Sequence, residues 1–246
     1  MLLNSQLKAL MHRIQRSPIK NTLPLQYTHS LNRLDTFVVP ELNIAIIPTP
    51  KVANRSIKLA VAKKLNPDFR GDPHLAGWQL ISKNELQDFN GYRFGFVRNP
   101  LARLYSCYKQ KIVLYARTYN APILFWRYGN TFTKEMSFDD FVIAVSKIPD
   151  WYSDIHFRSQ YCFFYYRQDL LVDFLGKFEN LNTDWQTINQ NCHIGELPHI
   201  NFSDSTNWQN AYTKKTAAIA MQRYQTDIER FDYREELELF LKTLSV

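Results

Sequence analysis

The chain has 246 residues, and its 30 Lys plus Arg against 23 Asp plus Glu give a formal net charge of +7. This length suits one α/β domain with a large core, and the excess of positive charge favours anionic ligands of any kind. The three cysteines form no Cys-x-x-Cys pair and leave one thiol over, so neither a disulfide framework nor a structural zinc site is supported. No stretch approaches the ~18 apolar residues of a membrane span, and we expect a cytoplasmic protein without an anchor.

The first 43 residues differ in pattern from the rest. Residues 2–16 carry leucines at helical spacing among basic residues, which predicts an amphipathic helix that packs on the domain. Residues 17–43 contain several prolines and no period, which predicts an irregular arm. We therefore expect an N-terminal helix and arm over 1–43 and a single domain over 44–246.

A strand followed by a helix is predicted over residues 43–64. The apolar run ends in Pro50-Lys51, and Asn54, Arg55 and Ser56 open the helix. A lysine at this position beside free helix amides is typical of a phosphate-binding loop. The glycines of the Walker loop are absent, which disfavours an ordinary ATPase. The alternative is a simple turn with a solvated lysine.

A second strand and helix are predicted around residues 94–108. The apolar run Phe94–Val97 has the length of a buried strand, and Asn99-Pro100 provides a cap and a first helical residue. An anion beside Arg98 would meet both the guanidinium and the helix amides, with Ser106 two turns further on the same side. The alternative is a surface arginine beside an ordinary helix. Two such sites suit a ligand with two separated phosphate-like groups.

The two segments also resemble the donor-binding motifs of a known family. Pro50–Ser56 (Pro-Lys-Val-Ala-Asn-Arg-Ser) resembles the 5′-phosphosulfate loop Pro-Lys-x-x-x-Thr-Ser of carbohydrate sulfotransferases. Phe96–Tyr108 is similar to their 3′-phosphate motif, Phe-Val-Arg-Asp-Pro-x-x-Arg-Leu-x-Ser-x-Tyr. The resemblance is to the chondroitin and dermatan 4-O-sulfotransferase-like group, in a soluble, bacterial-type form.

Further segments follow in family order, so that the resemblance covers about 44–235. The matching segments are Arg127–Gly129, Ser137–Val142, Asp154–Gln160, Leu175–Asp184 and Arg223–Tyr233. Two departures stand out. Arg55 replaces the usual threonine, which removes a hydroxyl and adds a cation, and the Cys-x-x-Cys of the secreted members is missing after the His156 segment.

The resemblance implies an α/β three-layer sandwich with a central, mainly parallel sheet, like that of P-loop kinases. It implies transfer of a sulfuryl group from 3′-phosphoadenosine 5′-phosphosulfate (PAPS) to a carbohydrate hydroxyl. Lys51 would act on the bridging oxygen of the donor, and Arg98 and Ser106 would hold its 3′-phosphate. The remaining expected donor contacts are Val52, Ala53, Asn54, Arg55, Ser56, Lys214 and Lys215.

Two histidines are candidates for the base that accepts the proton of the acceptor hydroxyl. His156 lies in the family-like segment, and His74 lies in the interval where related 2-O-sulfotransferases keep a base. The alternative for His156 is a structural role through a carbonyl hydrogen bond. We expect no catalytic metal, because no Asp, Glu or His cluster has ligand spacing.

Two other functions remain open at this point. One is an ATP-dependent small-molecule kinase on the same fold, and the other is a non-catalytic module that binds an anion or polysaccharide. Nucleic acid is not expected as a partner, because interleaved aromatic and basic repeats are missing.

Overall fold

The computed structural model describes residues 36–114, 128–198 and 207–244. The predicted helix over 2–16 lies outside these ranges. A five-stranded sheet forms the centre, and a two-stranded hairpin lies apart from it. The strands are β1 Thr36–Val39, β2 Ile44–Ile47, β3 Gln79–Ile81, β4 Tyr92–Val97, β5 Tyr165–Tyr166, β6 Asp169–Leu170 and β7 Phe174–Lys177.

The described helices follow from the periodicity and capping of their sequences. They are α1 Asn54–Leu65, α2 Lys83–Gln87, α3 Pro100–Tyr108, α4 Phe138–Ser146, α5 Tyr161–Phe164, α6 Leu181–Cys192, α7 Lys214–Arg223, α8 Gln225–Arg230 and α9 Arg234–Thr243. A π-helical turn, Lys109–Leu114, continues α3, and short 3-10 turns include Pro73–Leu75 and Phe178–Asn180.

The central sheet has the order β3-β1-β2-β4-β7. Strands β2, β4 and β7 are parallel to one another, whereas β1 pairs antiparallel with both β2 and β3. The sheet is therefore mixed, with a parallel half that includes both strands predicted to carry the anion sites. Because parallel neighbours end at the same edge, the segments after β2 and β4 emerge side by side.

Helices cover both faces of the sheet. Ile44 and Ile46 pack in a buried cluster with α1 and α6, whereas Ala45 and Ile47 belong to a second cluster with α3, α4, α7 and α9. Alternate residues of a strand point to opposite faces, so one strand contributes to both cores. This arrangement confirms an α/β fold with a central sheet flanked by helices.

The expected irregular arm is wrong for its last part. Thr36–Val39 is fully buried and forms β1, between β3 and β2 in the sheet. Four residues are too few to display a period, and pairing with β2 supplies the stability that the local sequence lacks. The folded region thus begins at least eight residues before the predicted boundary at 44.

The aromatic run Tyr161–Tyr166 packs against the sheet. Phe163 and Phe164 are buried, and Phe164 lies directly over Gly95 of β4. All three cysteines carry free thiols. In the parts of the chain that the structure covers, no helix has the length and hydropathy to cross a bilayer.

Candidate active site

The two predicted anion sites meet at the carboxyl edge of the sheet. The Lys51 loop, residues 48–53, joins β2 to α1, and Arg98-Asn99 joins β4 to α3. The Nη1 atom of Arg98 donates a hydrogen bond of 3.3 Å to the carbonyl of Lys51. Two segments 47 residues apart in sequence are therefore in direct contact.

The Lys51 loop has a strained backbone and unpaired polar groups. Lys51 and Ala53 have positive φ angles of 73° and 47°, a region that costs free energy for residues other than glycine. Helix α1 begins at Asn54, and the preceding N-cap residue, Ala53, provides no side-chain cap for its first amides. Within the described residues, the buried Thr49 hydroxyl and Asn54 amide oxygen also lack hydrogen-bond partners. An anion bound in the loop would complete this set, because the Asn54 amide can present its NH₂ group there after rotation.

The ammonium group of Lys51 lies among other cations. Its Nζ donates to Oε1 of Gln110 at 3.3 Å, on the π-helical turn after α3. Burial lowers the pKa of Lys51 to about 8, and the charges of Arg98, Lys111 and Arg103 act in the same direction, whereas Cys107 opposes them. Crowded, partly desolvated cations lose this mutual repulsion when an anion binds between them.

Arg98 is held as a buried cation. Only 5% of it is exposed, and its guanidinium lies 4.4 Å from the ring centroid of Phe178. Burial lowers the pKa of Arg98 to about 10, which leaves the group charged at neutral pH. Ser106 is buried two turns along α3.

The start of α3 follows the predicted pattern. The Asn99 side-chain oxygen accepts from the amides of Leu101 and Ala102, and Pro100 is the first helical residue. Glu179 accepts from the Asn99 amide at 2.7 Å through one oxygen and from the Tyr233 hydroxyl at 2.9 Å through the other. Glu179 therefore fixes the chain just after the end of β4.

Arg103 connects the Lys51 loop with the segment that contains His156. Its guanidinium donates to the carbonyls of Pro50, Ile155 and Arg158 at 3.0, 2.9 and 2.7 Å. The side chain is 1% exposed, and burial lowers its pKa. Sequence reasoning missed this role, although the position of Arg103 on the apolar face of α3, between Leu101 and Leu104, was a local signal that it is buried.

His156 belongs to a short turn, residues 154–158, and pairs with an aspartate. Its Nδ1 lies 2.6 Å from Oδ1 of Asp154, which also accepts from the His156 amide. Burial opposes ionisation of Asp154, yet hydrogen bonds and the charge of His156 lower its pKa to about 2. The pKa of His156 itself is lowered, because burial together with the charges of Lys111 and Lys51 outweighs Asp154. A neutral imidazole with Nδ1–H fixed by a carboxylate leaves Nε2 able to accept a proton.

The other predicted site residues lie in different surroundings. His74 is exposed on the turn Pro73–Leu75, where burial and then the charge of Lys58 lower its pKa, with Asp72 opposing and Arg55 adding a smaller effect. Ser56 and Val52 are buried and Arg55 is exposed on the first turn of α1. The charge of Lys51 contributes to the lowered pKa of His156. The cations that lower the pKa of His74 are instead Lys58 and Arg55.

Lys214 and Lys215 lie on the exposed first turn of α7, which Thr213 caps. The hydrogen bonds and ion pairs found among residues 36–114, 128–198 and 207–244 include none from these lysines to the Lys51 loop. Their expected donor contact stays a prediction. In the same part of the chain no group of three His, Cys, Asp or Glu side chains is arranged to hold a metal ion.

The fold and site together define an α/β protein whose two strand-to-helix connections present cations and helix amides at one sheet edge. The chain belongs to the sulfotransferase family, whose profile matches residues 34–237. It is also 30% identical over 139 residues to carbohydrate sulfotransferase 14 of Danio rerio, an alignment that covers 51% of this chain and 36% of the relative. The chain therefore aligns with about a third of that relative's length. No solved structure matches it significantly.

Proposed function

We propose that the protein transfers a sulfuryl group from PAPS to a hydroxyl group of a carbohydrate. The observation that carries this proposal is the hydrogen bond from Arg98 to the carbonyl of Lys51. It joins two cationic helix starts into one surface, which suits a donor with anionic groups at both its 3′ and 5′ positions. Membership in the sulfotransferase family supports the reaction class, and the zebrafish relative's name supports the acceptor class.

The donor-binding roles follow from the two loops. Arg98, with Ser106 on helix α3 that follows it, would hold the 3′-phosphate. The uncapped amides of α1 and the polar groups of Thr49, Asn54 and Ser56 would surround the 5′-phosphosulfate. The bound donor supplies an activated sulfuryl group on a phosphate leaving group. Lys51 would stabilise the negative charge that develops on the bridging oxygen.

The acceptor side is assigned to His156. Its Nε2 would accept the proton of the attacking hydroxyl as the new oxygen–sulfur bond forms and the bond from sulfur to the bridging phosphate oxygen breaks. Asp154 would hold the imidazole in the required tautomer and stabilise the imidazolium that results. His74 is the second candidate, and its place beside Arg55 and Lys58 suits a contact with an anionic part of either substrate.

Binding measurements test the donor assignment. We expect adenosine 3′,5′-bisphosphate to bind more tightly than adenosine 5′-monophosphate, and Mg²⁺-ATP to bind weakly, when all three are compared by calorimetry. Tight binding of Mg²⁺-ATP without binding of the bisphosphate would instead support a small-molecule kinase. Arg98→Ala should weaken bisphosphate binding, while Arg70→Ala, an exposed arginine between α1 and β3, serves as the matched control.

Transfer measurements test the reaction. Labelled sulfate should move from PAPS to at least one member of a panel of uronic-acid polysaccharides, neutral glycans and lipid-linked sugars. Lys51→Ala should abolish turnover while part of the donor affinity remains, because that residue acts mainly in the transition state. A merely anion-binding module would show no transfer, and Lys51→Ala would then change its binding only.

A further inference from the structure

The backbone of Arg98 lies just beyond the end of the β-ladder. Strand β4 pairs with β2 as far as Gly95 and with β7 as far as Val97. The N–H and C=O groups of the next residue, Arg98, bond instead to one side chain. Oε1 of Gln160 accepts from the Arg98 amide at 2.9 Å, and its Nε2 donates to the Arg98 carbonyl at 2.8 Å. A primary amide has the donor and acceptor of a peptide group, so Gln160 takes the place of a neighbouring strand.

Gln160 is itself fixed from behind. It is fully buried, and its backbone N–H donates to Oδ2 of Asp227 at 2.7 Å. The other oxygen of Asp227 accepts from the amide of Tyr161 at 2.8 Å, so this buried carboxylate of α8 caps the start of α5. A continuous chain of hydrogen bonds thus runs from α8 to the backbone of Arg98. Such fully satisfied buried networks rigidify the groups they hold.

The direction of the Arg98 side chain depends on this backbone. Gln160 fixes Arg98 on both sides, and Glu179 fixes the amide of the next residue, Asn99. With both peptide units held, the guanidinium reaches the ring of Phe178 and the carbonyl of Lys51. A small rotation of the Arg98 backbone would displace the guanidinium at the end of its long side chain.

We propose that Gln160 is a positioning residue for the donor, which sets the Arg98 guanidinium for the 3′-phosphate without touching the donor itself. This inference rests on the proposed function. Gln160 acts through Arg98, so its loss should reduce the part of the donor affinity that comes from the 3′-phosphate and spare the rest.

Two substitutions separate positioning from simple stability. Gln160→Met keeps the size of the side chain but leaves the Arg98 N–H and C=O groups without partners. Gln160→Glu keeps the acceptor for the N–H group but turns an oxygen toward the Arg98 carbonyl. The matched control is Gln186→Met, at an exposed position of α6.

The experiment measures affinities for adenosine 3′,5′-bisphosphate and adenosine 5′-monophosphate by calorimetry in all four proteins. In Gln160→Met and Gln160→Glu we expect the affinity for the bisphosphate to fall on the order of 10²-fold, because a misplacement of about 1 Å can cost a functional group that much. The affinity for the monophosphate should change little. Gln186→Met should behave as the wild type. Amide hydrogen exchange at Arg98, followed by NMR, should become faster in both Gln160 variants and needs no ligand.

Several outcomes would overturn the inference. Equal losses of affinity for the two nucleotides would indicate a general structural role, and unchanged affinities for both nucleotides would indicate no role. Failure of both Gln160 variants to fold would assign the residue to stability alone. If the wild type itself shows no preference for the bisphosphate, the proposed function fails and this inference fails with it, a result distinct from a preference that survives in the variants.

Discussion

Lys51 and His156 need opposite protonation states for their proposed roles, and burial lowers the pKa of both. In the proposed mechanism, His156 must be neutral to accept a proton, and its pKa is lowered by burial and by nearby lysines. Lys51 must be protonated to stabilise an anion, and burial lowers its pKa to about 8. The two active forms therefore coexist between the pKa of His156 and about pH 8.

We expect kcat/KM for the donor to follow a bell-shaped pH profile. The value should rise as pH increases through the lowered pKa of His156 and fall as pH increases through about 8, where Lys51 loses its proton. Lys51→Arg should remove the alkaline limb, because the guanidinium stays protonated. Release of adenosine 3′,5′-bisphosphate at graded pH measures this. An alkaline limb that persists in Lys51→Arg would assign it to another group.

The elements of the site depend on how closely strands and aromatic rings pack. A Cβ atom at Gly95 of β4 would lie 2.5 Å from Cε1 of Phe164 and 3.2 Å from the carbonyl of Ile47. Both neighbours are buried, and the carbonyl belongs to the adjacent strand β2. Glycine is therefore required by close approach at the strand that leads to Arg98.

Gly95→Ala should destabilise the fold by about 1–3 kcal/mol, the usual cost of inserting a methyl group into a packed core. Urea unfolding measures this change. Phe164→Leu should leave room for the new methyl group, so the double variant should lose less stability than the sum of the two single variants. Strict additivity would show that Phe164 is not the group that the methyl displaces.

Local elements around the site were predictable from sequence, whereas their supports were not. Asn99-Pro100 after an apolar run carries the signals for a helix start within its local sequence, and helix α3 does begin at Pro100. The partnership of Gln160 with Arg98 spans 62 residues, and nothing in either local sequence indicates it. Strand β1 was missed for a similar reason, since its stability comes from pairing with β2 and β3.

At the scale of the whole molecule, binding at the site and folding are linked. The candidate donor site draws on β2, β4, α1 and α3, so a ligand that binds there stabilises the native state over the unfolded chain. At a concentration 100 times its dissociation constant, such a ligand adds about 2.7 kcal/mol to the free energy of unfolding.

We therefore expect adenosine 3′,5′-bisphosphate to raise the melting temperature by roughly 5–10 °C at that concentration, because each kcal/mol of stabilisation shifts the melting temperature of a domain of this size by about 2–4 °C. Differential scanning fluorimetry measures the shift. Arg98→Ala at the same ligand concentration should show a smaller shift, because its occupancy is lower. A shift of equal size in Arg98→Ala would remove that residue from the binding site.

For the domain as a whole, the sequence predicted the fold class but not the full topology of the mixed sheet. The resemblance to carbohydrate sulfotransferases implied an α/β fold with a mainly parallel sheet, and β2, β4 and β7 form the parallel half of the observed sheet. The order of the strands, and the antiparallel β1 and β3, depend on contacts between distant segments. The family match at residues 34–237 agrees with a domain that includes β1.

The buried guanidinium of Arg103 has a consequence for engineering and for divergence within the family. Because it donates to the carbonyls of Pro50, Ile155 and Arg158 at once, the Lys51 loop and the 154–158 turn share a single support. Grafting the 154–158 turn from another member would disturb the Lys51 loop unless the backbone of both is kept. Under the proposed function, a change of acceptor preference is therefore expected from substitutions of surface residues around that turn rather than from exchange of the turn itself.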